Sequence, residues 1–188
     1  MMLKLQVIVA SVRQGRVGLP VAQWFVQAAE RFGKFDLELV DLKTWNLPLM
    51  DEPEHPRLGH YQHQHTKNWS QQIDKADAFV LVMPEYNYSM TAPLKNALDY
   101  LAREWQYKPV GFVSYGGISG GTRAVQMAKQ VVTTLKMMPI PEAVNVAFVQ
   151  KYLNSEGQFE ATQELEKSAE IMLEELNHWA VHLKPMRA

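Results

Sequence analysis

The segment Gly117-Ile118-Ser119-Gly120-Gly121 fits G-x-S-x-G, the turn on which a serine becomes the nucleophile of an ester hydrolase. That chemistry needs an acid and then a histidine further along. No Asp follows Ser119, and the later histidines, His178 and His182, fall on an amphipathic terminal stretch. The glycines are read instead as backbone that lets N–H groups approach a ligand edge with no Cβ in the way. A second segment, Ser11-Val12-Arg13-Gln14-Gly15-Arg16-Val17-Gly18, offers a hydroxyl, two guanidinium groups and two glycines just ahead of a helix start. Free N–H groups and the positive end of a helix dipole make such a loop a phosphate cradle; the alternative is an ordinary polar turn with solvated arginines. It lacks the Lys-Ser/Thr ending of a Walker loop and the G-x-G-x-x-G of a dinucleotide site, which disfavours nucleoside triphosphate hydrolysis and a bound pyrophosphate. The third segment, Pro84-Glu85-Tyr86-Asn87-Tyr88-Ser89-Met90-Thr91-Ala92-Pro93, brings together two tyrosines, an amide and exposed backbone. Such a set can line a planar heteroaromatic ligand, with an interface or lid as the other reading, while Thr91 serves as a helix cap.

His55, His60, His63 and His65 lie close to Asp51, Glu52 and Glu54 and could in principle hold zinc. Their spacing matches no standard zinc pattern, and Pro53 and Pro56 mark an irregular loop, so a solvated or interface loop is the expectation. The absence of cysteine excludes a disulfide framework, a thiolate metal site, a CxxC redox pair and a cysteine nucleophile. Any redox chemistry must then come from a cofactor. A formal net charge of −1 provides no basic surface for nucleic acid or anionic lipid. The start of the chain shows no signal-peptide pattern and no apolar run approaches the roughly 18 residues of a membrane span, so the expected location is cytoplasmic.

The elements that must position these loops follow from periodicity. Leu5 to Ala10 is an apolar strand, and Val21, Trp24, Phe25, Ala28 and Phe32 recur at helical spacing between Pro20 and Gly33. Phe35 to Val40 reads as a second strand, followed by a Pro- and His-rich loop and a polar helix from Gln64 to Lys75. Ala78-Phe79-Val80-Leu81-Val82-Met83 is unbroken and apolar, as a strand covered on both faces should be. Leu94, Ala97, Leu98 and Leu101 form a helical stripe after Pro93; Val110 to Tyr115 is a fourth strand; Ala124 to Leu135 is a helix; Val144 to Val149 is a fifth strand; and Leu165 to Leu183 is a last helix. Strands alternating with helices imply a parallel sheet with helices on both faces, whose ligands gather beyond the carboxyl ends of the strands. The 188 residues suit one domain.

Taken together, Ser11-x-Arg13-x-x-Arg16, Pro84-Glu85-Tyr86-Asn87 followed by Leu94-Lys95-Asn96-Ala97-Leu98-Asp99, and Ser114-Tyr115-Gly116-Gly117 resemble the NAD(P)H-dependent FMN reductase family of flavodoxin-like proteins, which includes quinone, azo-dye and chromate reductases. The resemblance implies an α/β three-layer flavodoxin-like sandwich, a five-stranded parallel sheet with helices on both faces, formed by residues 1–188 as a single FMN-binding domain. It implies that Ser11, Arg13, Gly15, Arg16 and Val17 surround the FMN phosphate, that Pro84, Glu85, Tyr86 and Asn87 hold the flavin and its pyrimidine side, and that Ser114, Gly116 and Gly117 border the ring near N1 and O2. Ala10 departs from the Gly often found before the first Ser, and Arg16-Val17-Gly18 differs from the Ser- or Asn-bearing loops of some members. Implied too are NADPH or NADH as co-substrate, hydride transfer through flavin N5 to a small-molecule electron acceptor, ping-pong kinetics and no acid–base side chain, with the N-terminus of the helix after Gly121 supporting charge on the reduced ring. A homodimer or homotetramer is expected by the same resemblance; Trp69, Tyr100, Trp105 and Tyr107 suit either such an interface or the core, which the sequence alone does not separate. The rival is a flavodoxin-like electron carrier or flavin-binding regulatory module, which usually shows a strongly acidic docking face.

Overall fold

The computed structural model describes residues 2–187. Five strands alternate with helices: β1 (Leu3–Val9), α1 (Gly18–Phe32), β2 (Phe35–Asp41), α2 (Leu42–Trp45), α3 (Gln64–Asp74), β3 (Ala78–Pro84), α4 (Ala92–Asp99), β4 (Pro109–Gly116), α5 (Thr122–Thr134), β5 (Met138–Ala147) and α6 (Gln163–Leu183). All pairings are parallel, in the order β2-β1-β3-β4-β5. The chain starts in the interior of the sheet and winds outward in both directions, so the connections after β1 and β3 diverge and leave a crevice between them.

Alternation sorts each strand onto two cores. Leu5, Val7 and Val9 of β1, with Ala78, Val80 and Val82 of β3, face α1 and α6. Ile8, Phe79, Leu81 and Met83 face α3, α4 and α5. Every residue of β3 is buried, which is what an unbroken apolar strand between two helical layers requires. Gly111 lets α6 approach β4: a Cβ there would stand 2.9 Å from the Met172 sulfur. Trp69, Tyr100 and Trp105, which suit a subunit surface as well as a core, are fully buried in the α3–α5 core, where Trp69 donates to the Ala97 carbonyl (2.9 Å) and Trp105 to the Leu98 carbonyl (3.1 Å).

Two local expectations are revised. β5 runs from Met138 to Ala147 rather than 144–149; Pro139 and Pro141 hide its first half, yet prolines are tolerated because this strand is an edge. Val149 lies beyond it in a 3-10 turn, after Phe148 takes a left-handed conformation (φ 51) that ends the strand. The four-residue α2 is too short for any periodicity to reveal; the Asp41 carboxylate caps it by accepting from the Lys43 N–H (3.0 Å).

Lys108 enters β4 from beneath α3, and its ammonium donates to the Ile73 and Asp74 carbonyls at that helix's C-terminus (3.0 and 3.1 Å). Burial lowers its pKa to about 8 from 10.5, against the pull of Asp74. Below pH 8 both folded and unfolded chains carry this charge. Between the two values the unfolded chain binds more protons, so stability rises with pH. Urea midpoints should climb from pH 8 to about pH 9.5, below the roughly pH 10 at which unfolded tyrosines ionise. Lys108→Met should flatten that climb; an unaltered slope would assign it to other groups.

Candidate functional site

Beyond β1 the chain stays beside β3 for one more residue, the Ala10 N–H bonding to the Val82 carbonyl (3.0 Å), and then crosses the carboxyl end of the sheet to α1. α1 has no side-chain cap, its N-cap position being Val17. From Ser11 to Val17 the one backbone hydrogen bond donated within the described residues is Arg16 N–H to Arg13 carbonyl (3.3 Å). The loop therefore presents N–H donors that have no backbone partner among the described residues, at the positive end of a helix.

A cavity of about 150 Å³ opens against this loop, walled by Ser11, Arg13, Arg16 and Val17, by Pro84, Glu85 and Tyr86, and by Gly116. It is smaller than the roughly 300–1,000 Å³ of a pocket that swallows a whole ligand, so it suits one end of a larger molecule. Tyr115, Val149 and Gln150 complete the wall and were not anticipated. Tyr115 could have been found by parity: it alternates with Ser114 and Gly116 along β4 and so points to the α1 face. Val149 and Gln150 come from the turn after β5, which local pattern does not place.

The Tyr115 ring is buried against α1, and its hydroxyl has no hydrogen-bond partner among the described residues. Burial holds its pKa well above the ordinary phenol value. Gly18 makes room for it: a Cβ at residue 18 would collide with the hydroxyl oxygen. A buried hydroxyl without an acceptor costs about 1–3 kcal/mol, and here it stands beside uncapped helix amides, so a phosphate would satisfy both at once.

The two arginines part company. Arg13 is exposed and borders the cavity. Arg16 is instead paired through both guanidinium nitrogens with the two oxygens of Asp41, and donates to the Ser11 carbonyl as well (2.7 Å). Burial alone would raise the Asp41 carboxyl, but the Arg16 hydrogen bonds, the Lys43 N–H and their charges outweigh it and hold it below its ordinary value.

Loops two and three are tied together by Glu85. Its N–H donates to the Tyr115 carbonyl (3.1 Å), and its carboxylate accepts from Ser119 Oγ (2.9 Å), Arg123 N–H (3.2 Å) and Arg123 Nε (2.6 Å). These bonds and the Arg123 charge overcome burial and lower the Glu85 pKa. The positive end of α5 is thus met by a carboxylate already, which leaves loop amides rather than the helix dipole to face the cavity. Tyr86 and Ser89 exchange backbone bonds (2.9 Å each), closing a two-residue hairpin with Asn87 and Tyr88 at φ 50 and 69. The Arg123 guanidinium lies 4.0 Å over the Tyr88 ring.

The remaining expected residues lie around the cavity rather than in its wall. Gly15 (φ 69) and Gly117 are on the open rim, where a Cβ would touch nothing, and Asn87 is at the hairpin tip. Ser114 is buried below it, its hydroxyl donating to the Gly120 carbonyl (2.8 Å) and standing 2.9 Å from Asn145 Oδ1. Ser119 is occupied by Glu85 and Arg123, with no histidine among its partners, while His178 and His182 stack on each other along α6. In the histidine-rich loop, His65 bonds to Asp51 (2.9 Å) and His60 to Glu54 (3.1 Å); among the described residues no three such side chains converge as a metal site.

Gly18→Ala should destabilise the chain by about 1–3 kcal/mol through collision with Tyr115, with Gly117→Ala, which meets open space, as the neutral control in urea unfolding. Because Asp41 titrates lower when folded than its ordinary 3.8, its contribution is in place above that pH and is lost as pH falls through the folded value. Asp41→Asn should therefore lower Tm at pH 6 and converge on the wild type in acid.

Residues 3–151 match the family model described as NADPH-dependent FMN reductase. A Schizosaccharomyces pombe protein named NAD(P)H-dependent FMN reductase is 46% identical over 140 residues, 73% of this chain and 70% of that one. A rice protein named probable NADPH:quinone oxidoreductase 1 is 38% identical over 107 residues, 54% of each chain. The solved structure of FerB, a flavoenzyme NAD(P)H:(acceptor) oxidoreductase from Paracoccus denitrificans, shares the fold with a TM-score of 0.75 at 20% identity, over 96% of this chain and 98% of FerB. With a parallel flavodoxin-like sheet and this match along most of its length, the chain belongs to the NADPH-dependent FMN reductase family.

Proposed function

We propose that this protein is an FMN-containing oxidoreductase that takes hydride from NADPH or NADH and passes it to a small-molecule acceptor such as a quinone, free flavin, an azo compound or a metal oxyanion. The observation that carries this reading is the Tyr115 hydroxyl, buried without a partner beside the uncapped start of α1. Ser11, Arg13, Val17 and the loop amides are the remaining phosphate-holding groups. Pro84, Tyr86 and Asn87 border the ring, and Gly116 and Gly117 bring backbone to its pyrimidine edge. Bound FMN supplies the hydride chemistry itself. The chain's part is to hold it with one face open, and no side chain serves as acid or base: Glu85, the carboxylate nearest the cavity, is spent on Ser119 and Arg123.

With FMN bound at so small a cavity the ring would extend to the surface, where nicotinamide and acceptor would meet it in turn. This supports ping-pong kinetics. On the other side of the first loop Val12, Leu47, Leu49 and Pro93 wall an apolar cavity of about 440 Å³, and Leu49 is 82% exposed. An apolar surface of this kind beside the site supports a homodimer or homotetramer. No helix among the described residues is long and apolar enough to cross a membrane; the cytoplasm is the location that goes with this proposal.

Protein mixed with FMN and freed of excess should keep the flavin bands and oxidise NADPH continuously when benzoquinone is supplied, with parallel double-reciprocal lines. Bound flavin without turnover would make the protein a carrier, and colourless protein would end the proposal. Tyr115→Phe separates the ligand from the fold by sign: it should stabilise the FMN-free chain by up to about 1–3 kcal/mol while weakening FMN binding about tenfold.

A further inference from the structure

We infer that Asp41, on the edge strand β2, is a positioning residue for the phosphate loop: it takes Arg16 away from the anion and makes it a strut. This rests on the FMN reading above. Asp41 is the last paired residue of β2, opposite Val9 at the end of β1, so its side chain stands on the rim where the first loop crosses. There both carboxylate oxygens meet the Arg16 guanidinium, and one of them also caps α2 through the Lys43 N–H (3.0 Å). The two side chains are only 10% and 18% exposed. A two-pronged pair this sheltered from water is stronger and more fixed in direction than a surface ion pair. For Arg16 to reach a phosphate it would have to leave that pair and expose a half-buried carboxylate.

The strut acts on the loop through the Ser11 carbonyl, to which Arg16 also donates (2.7 Å). In a planar trans peptide the carbonyl and the following N–H point in opposite directions, so anchoring Ser11 C=O fixes the direction of the Val12 N–H. The loop has almost no other internal hold: among the described residues the one backbone bond between two of its own residues is the 3.3 Å contact from Arg16 N–H to the Arg13 carbonyl. Asp41 therefore orients the loop's donors from a different strand and cancels the charge of Arg16. The anion is left to the main-chain amides, the Ser11 and Tyr115 hydroxyls and the exposed Arg13.

The two roles for Arg16 give opposite results in one experiment: fluorescence titration of FMN, and of riboflavin, which lacks the phosphate, against wild type, Asp41→Asn, Arg16→Gln and the double variant. As a strut, the pair works as a unit. Each single variant should weaken FMN about tenfold, the double variant should be no worse than the singles, and riboflavin affinity should change less than twofold. Arg16→Lys, which keeps the charge but not the fork, should recover little. Tighter FMN binding by Asp41→Asn with weaker binding by Arg16→Gln would overturn the inference, because it makes Arg16 a direct ligand that Asp41 restrains. Equal losses for riboflavin and FMN would overturn it too, reducing the pair to general stability. Should Asp41→Asn fail to fold, Asp41→Glu and Arg16→Lys decide by the same FMN-to-riboflavin comparison. Wild-type protein that takes up no FMN defeats the functional reading itself, whereas wild-type binding with Asp41→Asn unchanged defeats this inference alone.

Discussion

β3 is buried along both faces, from Ala78 to Pro84, and the site follows from that constraint. A strand packed between two helical layers can offer polar groups only at its ends, because a charge placed within either core would lose its hydration without gaining a partner. The parallel connections deliver three loops to the same end, and the outward winding from β1 separates them enough to leave a crevice. Position at the carboxyl edge is thus a consequence of apolar burial rather than of any interaction among the loops.

What the loops do there is governed by which polar groups are already satisfied. Asp41 takes Arg16, and Glu85 takes Ser119 and Arg123, so four of the charged side chains near the cavity serve as braces. Among the cavity's polar groups, the Tyr115 hydroxyl, the exposed Arg13 and the amides at the start of α1 are left without such partners. Braces of opposite charge arrange these donors without flooding the site with net charge.

Some of this was legible beforehand for clear physical reasons. Apolar runs and helical stripes report burial directly, so the order of strands and helices could be read, and the first and third loops could be recognised as glycine-bearing turns between a strand and a helix. The same reasoning left Trp69, Tyr100 and Trp105 open between interface and core, because an aromatic side chain with a polar tip suits either an interface or a core that offers an acceptor. Here Ala97, Leu98 and the 48–51 segment offer those acceptors.

By itself the sequence determined the layered α/β fold, the family and the segments that gather at the site, since those depend on the period of hydrophobicity and on short motifs within one stretch of chain. Only the tertiary structure decided which of the gathered residues face the cavity. Arg16 and Asp41 are 25 positions apart, Glu85 and Arg123 are 38 apart, and Tyr115 meets Gly18 from another strand. A side chain's free valences are settled by neighbours that the fold brings from elsewhere, and no local pattern carries that information.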